Sequence, residues 1–376
     1  MTTLLDVPAG TLPLPRPRPG HRPARGAASI PGSVPGSGPV VIGHRGAAGH
    51  RPEHTLASYR LSILLGADYI EPDLVATRDG VLVARHENDV TATTDVADHP
   101  ELASLRTTKV VDGREVTGWF TEDLTLGQLQ TLRAKERLPA VRPRNARRDG
   151  CYRIPTFDEV LELARRESER TGREIGVYPE TKHPSYFADL GLPLEEPLLA
   201  ALRRHGLDHP GARVFLQSFE TANLVALRRA TALPLVQLVA AAGAPADLVA
   251  AGDATTYADL LTPAGLRRVA SYADAIGPSK DLVLPRDPAT GAAGAPSSLV
   301  ADAHGAGLAV HVYTLRDENQ FMATNFRLGS DPHARGDAVA EARAFLDAGV
   351  DGIFTDHAGT VVEARQQWRA AAAAVG

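Results

Sequence analysis

The residue types that could perform acid–base chemistry on a charged substrate are concentrated in one stretch of the sequence, positions 40–88. Each follows or ends an apolar run that is typical of a buried strand. They are, in chain order, His44, Arg45, Glu71, Asp73 and His86. For any one of them, solvation at the surface is the commoner role, so the functional interpretation depends on a fold that brings them together.

Two of these residues predict a cation site. Glu71 and Asp73 are two apart on a predicted strand, so both side chains point to the same face. With Glu180, which follows a later strand, they form an oxygen-ligand set suited to Ca²⁺ or Mg²⁺. Ion pairs with Arg45 and Lys182 are the alternative, and they would need no metal.

The two histidines predict proton transfer near neutral pH. His44 and His86 end neighbouring strands, and a pair of imidazoles can divide the roles of base and acid. Arg45 offers a fork that matches phosphate oxygens, and Lys182 offers a point charge. Together these groups indicate phosphoryl transfer. Polar residues also follow other strands, and among them Gln217 and Tyr313 are the further candidates for contact with the substrate, beside Asp356.

The elements that must position these residues alternate between strand and helix. The predicted strands are 40–43, 69–76, 81–84, 175–177, 214–216, 235–239, 275–276 with 282–284 beside it, 308–312 and 352–354. Helical periodicity separates most of them, and this alternation indicates a parallel sheet.

One turn decides how many strands are parallel. Only four residues separate 69–76 from 81–84, too few for a parallel crossover, and Asp79-Gly80 is a strong hairpin signal. The strand ending at His86 should therefore fold back antiparallel. Eight parallel strands remain, which favours a (β/α)8 TIM barrel, with a doubly wound open sheet as the alternative.

The chain divides into four predicted parts. Positions 1–38 are rich in Pro, Gly and Arg and predict a disordered leader. Positions 39–365 should form the barrel, and 89–153 a small insertion subdomain over its mouth, with one helix at 125–136 and basic loop residues that include Arg142. Positions 366–376 form an Ala-rich tail. The leader has no export signal, which indicates a cytoplasmic protein as the sequence is written.

Composition narrows the classes of partner. The chain has 376 residues, a net charge of −5, one cysteine and 43% hydrophobic residues. Arginines are scattered, which argues against nucleic acid, and no apolar run is long enough for stable membrane insertion. A small-molecule substrate is expected, and the sequence does not determine the oligomeric state.

Several short motifs occur in a familiar order. They are HRG at 44–46, PEHT at 52–55, EPD at 71–73, RHEN at 85–88, YPETK at 178–182, QSF at 217–219, VYT at 312–314 and DGIFTD at 351–356. In this order they resemble the glycerophosphodiester phosphodiesterases, most closely the larger bacterial, periplasmic-type members. His54 and Glu87 stand where many members have Asn and Asp.

The resemblance implies a TIM barrel that hydrolyses glycerophosphodiesters to an alcohol and sn-glycerol 3-phosphate with a divalent cation. Carried over by motif, His44 and His86 are the catalytic pair, and Arg45 and Lys182 contact phosphate. Glu71, Asp73 and Glu180 would hold the metal. The larger bacterial members are often exported and Ca²⁺-dependent, so Ca²⁺ is the first choice and Mg²⁺ the alternative.

Two routes and two rival functions remain open from the sequence. Either the 2-hydroxyl of the glycerol attacks phosphorus and water then opens a cyclic phosphate, or water attacks directly. The nearest rival enzyme is a barrel phospholipase that cleaves intact phosphatidylinositol- or sphingomyelin-type lipids. The rival from another class is a non-catalytic barrel that binds anions.

Overall fold

The structure, a computed structural model, describes residues 38–375, and its first strand begins at Val40. The strands are β1 (Val40–His44), β2 (Tyr69–Glu71), β3 (Asp73–Ala76), β4 (Leu82–Ala84), β5 (Thr107–Val111), β6 (Arg114–Gly118), β7 (Gly176–Val177), β8 (Glu180–Thr181), β9 (Leu216–Ser218), β10 (Leu235–Val239), β11 (Ala275–Pro278), β12 (Ala309–Leu315) and β13 (Gly352–Thr355). The predicted leader lies outside the described residues apart from Gly38.

Helices separate most of the parallel strands. They are α1 (Leu56–Leu64), α2 (Leu126–Leu129), α3 (Pro143–Ala146), α4 (Phe157–Thr171), α5 (Pro184–Asp189), α6 (Glu195–Arg204), α7 (Thr221–Ala230), α8 (Ala246–Ala250), α9 (Tyr257–Leu260), α10 (Pro263–Val269), α11 (Lys280–Val283), α12 (Leu299–Gly305), α13 (Ala338–Asp347) and α14 (Ala358–Val375). Short 3-10 turns occur at Val96–Asp98, Pro100–Leu105, Thr121–Asp123, Asn319–Phe321 and Thr324–Phe326. None of the helices in this described part of the chain has the length and apolar character needed to span a lipid bilayer.

Eleven strands form one curled sheet in the order β4-β3-β8-β9-β10-β11-β12-β13-β1-β2-β7. Pro72 separates β2 from β3, and a short break that includes Pro179 separates β7 from β8; proline has no N–H to donate to a ladder. β2 and β3 thus form one interrupted strand, and β7 and β8 form another. These two interrupted strands lie side by side, because β2 pairs with β7 and β3 pairs with β8. The parallel pairings therefore return from β13 to β1, which is consistent with the predicted barrel.

The predicted hairpin is confirmed. β3 and β4 are antiparallel, with Leu74 opposite Ala84 and Ala76 opposite Leu82. Gly80 has a φ of 76°, a left-handed conformation that a residue with a Cβ adopts only with strain. The turn folds β4 back over β3, so that His86 arrives above the carboxylates of the same sheet rather than at the end of a further barrel strand.

An aromatic cluster fills the centre of the sheet below the polar strand ends. Tyr178 stacks on Phe215 with ring centroids 4.9 Å apart, and Phe354 meets Tyr178 edge-on at the same distance. The Tyr178 hydroxyl lies 2.7 Å from Nδ1 of His311, so its polar tip has a partner within the core. These large rings leave little freedom to the strands that carry the site.

Two local predictions are wrong. Residues 282–284 do not form a strand, since α11 covers Lys280–Val283 and Val283 packs into the core from a helix. The helix predicted at 125–136 is limited to Leu126–Leu129. Beyond it the backbone pairs with other segments, because the amide of Ala134 donates to the carbonyl of Tyr152 and the amide of Lys135 to that of Thr93.

Two chain segments lie outside the alternation of parallel strands and helices. Between β4 and α4, the stretch 89–153 holds the β5–β6 hairpin, two short helices and 3-10 turns. At the other end, the Ala-rich residues up to Val375 continue α14.

We expect Gly80→Ala to destabilise the protein by about 1–2 kcal/mol, because the added Cβ strains the left-handed backbone although nothing lies within 4 Å of it. Gly305→Ala is the matched control, since Gly305 ends helix α12 in equally open space. That change should be neutral or stabilise by up to about 1 kcal/mol. Denaturant titration checks both; equal effects of the two changes would contradict the hairpin geometry.

Candidate active site

The polar strand ends open into one cavity of about 400 Å³. All the site residues predicted from the sequence line it: His44, Arg45, Glu71, Asp73, His86, Glu180, Lys182, Gln217 and Tyr313. They come from β1, β2, β3, β8, β9 and β12 and from the end of the hairpin. The structure thus brings together residues that the sequence scatters over 270 positions, from 44 to 313.

Three carboxylates meet in this cavity. Asp73 and Glu180 are direct neighbours in the β3–β8 register, and Glu71 ends β2. One oxygen from each lies within 4.8 Å of the others, and all three side chains are buried. Burial and the nearby charge of Asp73 raise the pKa of Glu71 well above its usual value. Burial likewise raises the pKa of Glu180 to about 8.

The donor set fits a hard divalent cation. Oδ1 of Asp73 is buried and has no hydrogen-bond partner among the described residues. A buried carboxylate oxygen without a donor is costly, and a cation at this position would satisfy it. Carboxylate oxygens are the ligands that Ca²⁺ and Mg²⁺ prefer.

Fixed donors hold the other carboxylate oxygens in place. The backbone N–H of Arg45 donates to Oε2 of Glu71 at 2.7 Å, and the amide of Gln217 donates to Oε1 at 3.2 Å. Lys182 donates to Oε1 of Glu180 at 2.8 Å. Gln217, considered from the sequence as a substrate contact, is therefore already engaged by a carboxylate.

His54 holds Asp73 and was missed as a site residue by sequence reasoning. Its Nε2 lies 2.8 Å from Oδ2 of Asp73, and its Nδ1 lies 2.7 Å from the hydroxyl of Tyr59. The ring is fully buried. Although burial opposes ionisation of Asp73, Lys182 and His54 together lower its pKa well below the usual range. The only signal in the sequence was an unusual histidine within the PEHT motif.

His44 is oriented by Asp356, which follows β13. Nδ1 of His44 lies 2.6 Å from Oδ1 of Asp356. A carboxylate in this position accepts the proton of Nδ1 and leaves Nε2 with its lone pair. Burial, together with the charge of Arg45, lowers the pKa of His44 to about 4. The imidazole is therefore neutral at physiological pH and able to accept a proton.

His86 has a carboxylate neighbour as well. Nδ1 of His86 lies 2.5 Å from Oε1 of Glu87. Burial and the charges of Arg45 and Lys182 lower the pKa of His86 to about 3. Both histidines therefore share one arrangement, in which a carboxylate holds Nδ1 and leaves the opposite nitrogen without that constraint.

Two arginines of the stretch 89–153 hold these carboxylates. Arg137 donates to both oxygens of Glu87, at 2.9 and 2.5 Å, and also to Glu53. Arg142 donates to Oδ2 of Asp356 at 2.7 Å. The sequence pattern assigns Arg142 to a basic loop with no role in the site, whereas in the structure its side chain is buried.

Arg45 and Lys182 supply the positive charge of the cavity. The guanidinium of Arg45 pairs with Glu53 at 3.0 Å and lies 3.5 Å from Asp73. Lys182 lies 5.6 Å from the ring centre of Phe219. Tyr313 presents mainly its ring to the cavity, because its hydroxyl donates to the carbonyl of Val239.

The curled sheet brings together two imidazoles held by carboxylates, three neighbouring buried acids, and the positive side chains of Arg45 and Lys182. This combination defines the class of phosphoric diester hydrolases. The chain belongs to the glycerophosphoryl diester phosphodiesterase family, whose model matches residues 44–360. This confirms the family predicted from the ordered motifs.

Relatives cover most of the chain. The glycerophosphodiester phosphodiesterase GDPD6 of Arabidopsis thaliana is 35% identical over 336 residues, which are 86% of this chain and 85% of the relative. The glycerophosphodiester phosphodiesterase of Haemophilus influenzae is 28% identical and covers 86% of this chain and 89% of its own length.

Solved structures share the fold. A glycerophosphodiester phosphodiesterase from Agrobacterium tumefaciens has a TM-score of 0.52 at 21% identity and covers 86% of this chain and 98% of its own. A phosphodiesterase from Oleispira antarctica, in complex with the product sn-glycerol-3-phosphate, has a TM-score of 0.55 at 18% identity and covers 88% and 97%.

We expect Asp356→Asn to lower kcat by on the order of 10²–10⁴-fold with little change in KM. Arg142 and Arg316 both donate to Oδ2, so the amide oxygen will face them and its NH₂ group will face Nδ1 of His44. That orientation forces the proton onto Nε2 and removes the free lone pair.

Glu318→Gln is the control, because Glu318 also pairs with Arg142 but does not contact His44. It should leave kcat within about threefold of wild type, since no proton-transfer group is reoriented. Steady-state kinetics on a glycerophosphodiester measures both. Full kcat in Asp356→Asn would show that the tautomer of His44 does not matter.

Proposed function

We propose that this protein hydrolyses glycerophosphodiesters to an alcohol and sn-glycerol 3-phosphate, with His44 and His86 as the acid–base pair. The observation that carries the proposal is the meeting of both histidines with the three-carboxylate cradle in one cavity. Membership of the family supplies the reaction class, and the geometry supports the assignment of roles to residues.

The closure of the sheet and the position of the stretch 89–153 are part of the same proposal. We infer that the parallel strands close as a (β/α)8 barrel and that 89–153 is a small subdomain over its mouth. The return of the strand order from β13 to β1 supports the closure. The contacts of Arg137 and Arg142 with the site support the position of the insertion.

Glu71, Asp73 and Glu180 are proposed to hold a divalent cation, with Ca²⁺ as the first choice and Mg²⁺ as the alternative. The partnerless oxygen of Asp73 supports this assignment. When bound, such a cation would neutralise negative charge on the substrate and favour ionisation of a hydroxyl beside it. Flexible coordination by oxygen ligands suits Ca²⁺.

Arg45 and Lys182 are proposed to bind the phosphate. A guanidinium and an ammonium at the same cavity can neutralise two non-bridging oxygens. Gln217 acts through Glu71, which it positions, and Tyr313 contributes an aromatic wall. Of the four residues predicted to contact the substrate, Arg45 and Lys182 are thus the two that we propose to bind its phosphate directly.

The histidines move the protons of the reaction. One neutral imidazole takes the proton from the 2-hydroxyl of the glycerol as that oxygen bonds to phosphorus. The other imidazole, which takes up a proton from solvent as the anionic diester binds, gives that proton to the alcohol oxygen as the P–O bond breaks. Water then opens the cyclic phosphate with the two roles reversed. Direct attack by water on the diester is the alternative route.

His44→Ala and His86→Ala should each lower kcat by at least about 10³-fold, because each removes a proton-transfer group from the reacting centre. Release of glycerol 3-phosphate from glycerophosphoinositol measures the loss. Accumulation of a glycerol cyclic phosphate by either variant would favour attack by the 2-hydroxyl over direct attack by water. His99→Ala is the control, since His99 pairs with Asp95 and Glu101 away from the cavity. Unchanged turnover in either cavity variant would refute the assignment.

Removal of divalent metal should abolish activity and lower the melting temperature, because Glu71, Asp73 and Glu180 would be left as neighbouring buried acids. Activity after chelation, followed by addition of Ca²⁺, Mg²⁺ or Mn²⁺, measures the first effect, and calorimetry measures the second. Restoration by Ca²⁺ rather than Mg²⁺ is the expected order. Full activity after thorough chelation would exclude the metal site.

A further inference from the structure

A second cavity of about 870 Å³ lies beside the first. The two share Glu180, Lys182 and Phe219, so the second opens where a phosphate held by Lys182 would sit. Its walls come from the β5–β6 hairpin on one side and from the segments 183–189 and 240–257 on the other. A diester with its phosphate at this junction would place one alcohol in each cavity.

The two cavities differ in charge. Apart from the shared residues, the acids of the second cavity are Glu87, Asp89, Asp112, Asp189 and Glu220, against Arg114 and His183. The cations around the first cavity are Arg45, Lys280, Arg286 and Arg316. The first cavity is also lined by the acids Glu71, Asp73 and Asp281, so its basic and acidic side chains are nearly balanced, whereas the second cavity has an excess of acids. This difference favours a second alcohol that carries positive charge.

Among the acids that line the second cavity, Glu220 is the one whose carboxylate is buried and has an oxygen without a hydrogen-bond partner. Its side chain is only 3% exposed. Oε2 accepts from the backbone N–H of Ser185 at 3.1 Å, whereas Oε1 has no partner among the described residues. Burial raises the pKa of Glu220 to about 7. A cation in the cavity would satisfy the free oxygen.

Two aromatic rings line the same cavity as this carboxylate. Phe219 precedes Glu220 in the chain, and its ring lies 6.1 Å from that of Tyr257 at an angle of 75°. Both rings line the second cavity. Ring faces attract alkylammonium groups more strongly than neutral alcohols of the same shape, because the ring quadrupole favours positive charge.

We propose that Glu220, Phe219 and Tyr257 form a subsite for the leaving alcohol that selects alcohols bearing an ammonium group, such as choline or ethanolamine. The inference rests on the proposed function, since it assigns the alcohol end of the same diester. Glu220 supplies the counter-charge, and the two rings supply the walls. Neutral alcohols fit the same space without either attraction.

The wild-type protein provides the first test. Choline should inhibit hydrolysis of glycerophosphoinositol competitively. The neutral analogue of choline, in which a carbon atom replaces the nitrogen, should inhibit at least about tenfold more weakly, because it lacks the charge that Glu220 and the rings attract. Equal inhibition by the two compounds would refute a cation subsite and assign the groove to apolar alcohols.

Glu220→Gln provides the second test. It should lower the ratio of kcat/KM for glycerophosphocholine to kcat/KM for glycerophosphoinositol by about tenfold, through KM of the choline ester. Glu115→Gln is the matched control, since Glu115 is an exposed acid of β6, a strand that borders the second cavity, and does not itself line the cavity. Its ratio should stay that of wild type.

The outcomes separate the two proposals. Hydrolysis of the inositol ester with an unchanged ratio in Glu220→Gln would overturn the subsite and leave the proposed function standing. Hydrolysis of none of these diesters by metal-loaded wild type would overturn both. Should Glu220→Gln fail to fold, the comparison of choline with its neutral analogue on the wild-type protein still decides.

Discussion

The burial of Glu71, Asp73 and Glu180 side by side is the constraint on which the rest of the structure depends. Three carboxylates whose oxygens approach within 4.8 Å cannot all be ionised in an interior without compensating positive charge. Lys182 and His54 stabilise the charge of Asp73, and the partnerless oxygen of Asp73 is left for a cation. Lys182 and Arg45, which lies 3.5 Å from Asp73, both line the cavity, so the positive charges that balance the carboxylates are also those that we propose to bind the phosphate.

A second set of charges surrounds the two histidines that we propose as the acid–base pair. His44 and His86 each have a carboxylate at Nδ1, and each carboxylate is itself held by an arginine from the stretch 89–153. The strand ends therefore carry the imidazoles, while the stretch 89–153 supplies arginines that hold their carboxylates. Neither part of the chain contains a complete acid–base unit.

The parts of this arrangement that could be predicted are those that follow from local pattern. Buried strands, the Asp79-Gly80 turn and the convergence of strand ends need only periodicity and turn chemistry, and they placed every candidate residue in one cavity. The contacts of His54 and Arg142 could not be predicted, because His54 lies in the loop between β1 and α1 and Arg142 in the irregular stretch 89–153, where no strand or helix pattern fixes the direction of a side chain. The short apolar run 282–284 satisfied strand and helix patterns equally, and only the surrounding core selects the helix.

The arginines and the hairpin of 89–153 make different contacts, and this difference has a consequence for evolution. Arg137 and Arg142 tie this stretch to the catalytic carboxylates, so mutations there would be removed by selection whatever the substrate. The β5–β6 hairpin has no such tie to either histidine; it forms a separate two-stranded sheet that borders only the second cavity. Exchange of the hairpin during evolution would thus change the walls of the second cavity and leave the contacts of Arg137 and Arg142 in place.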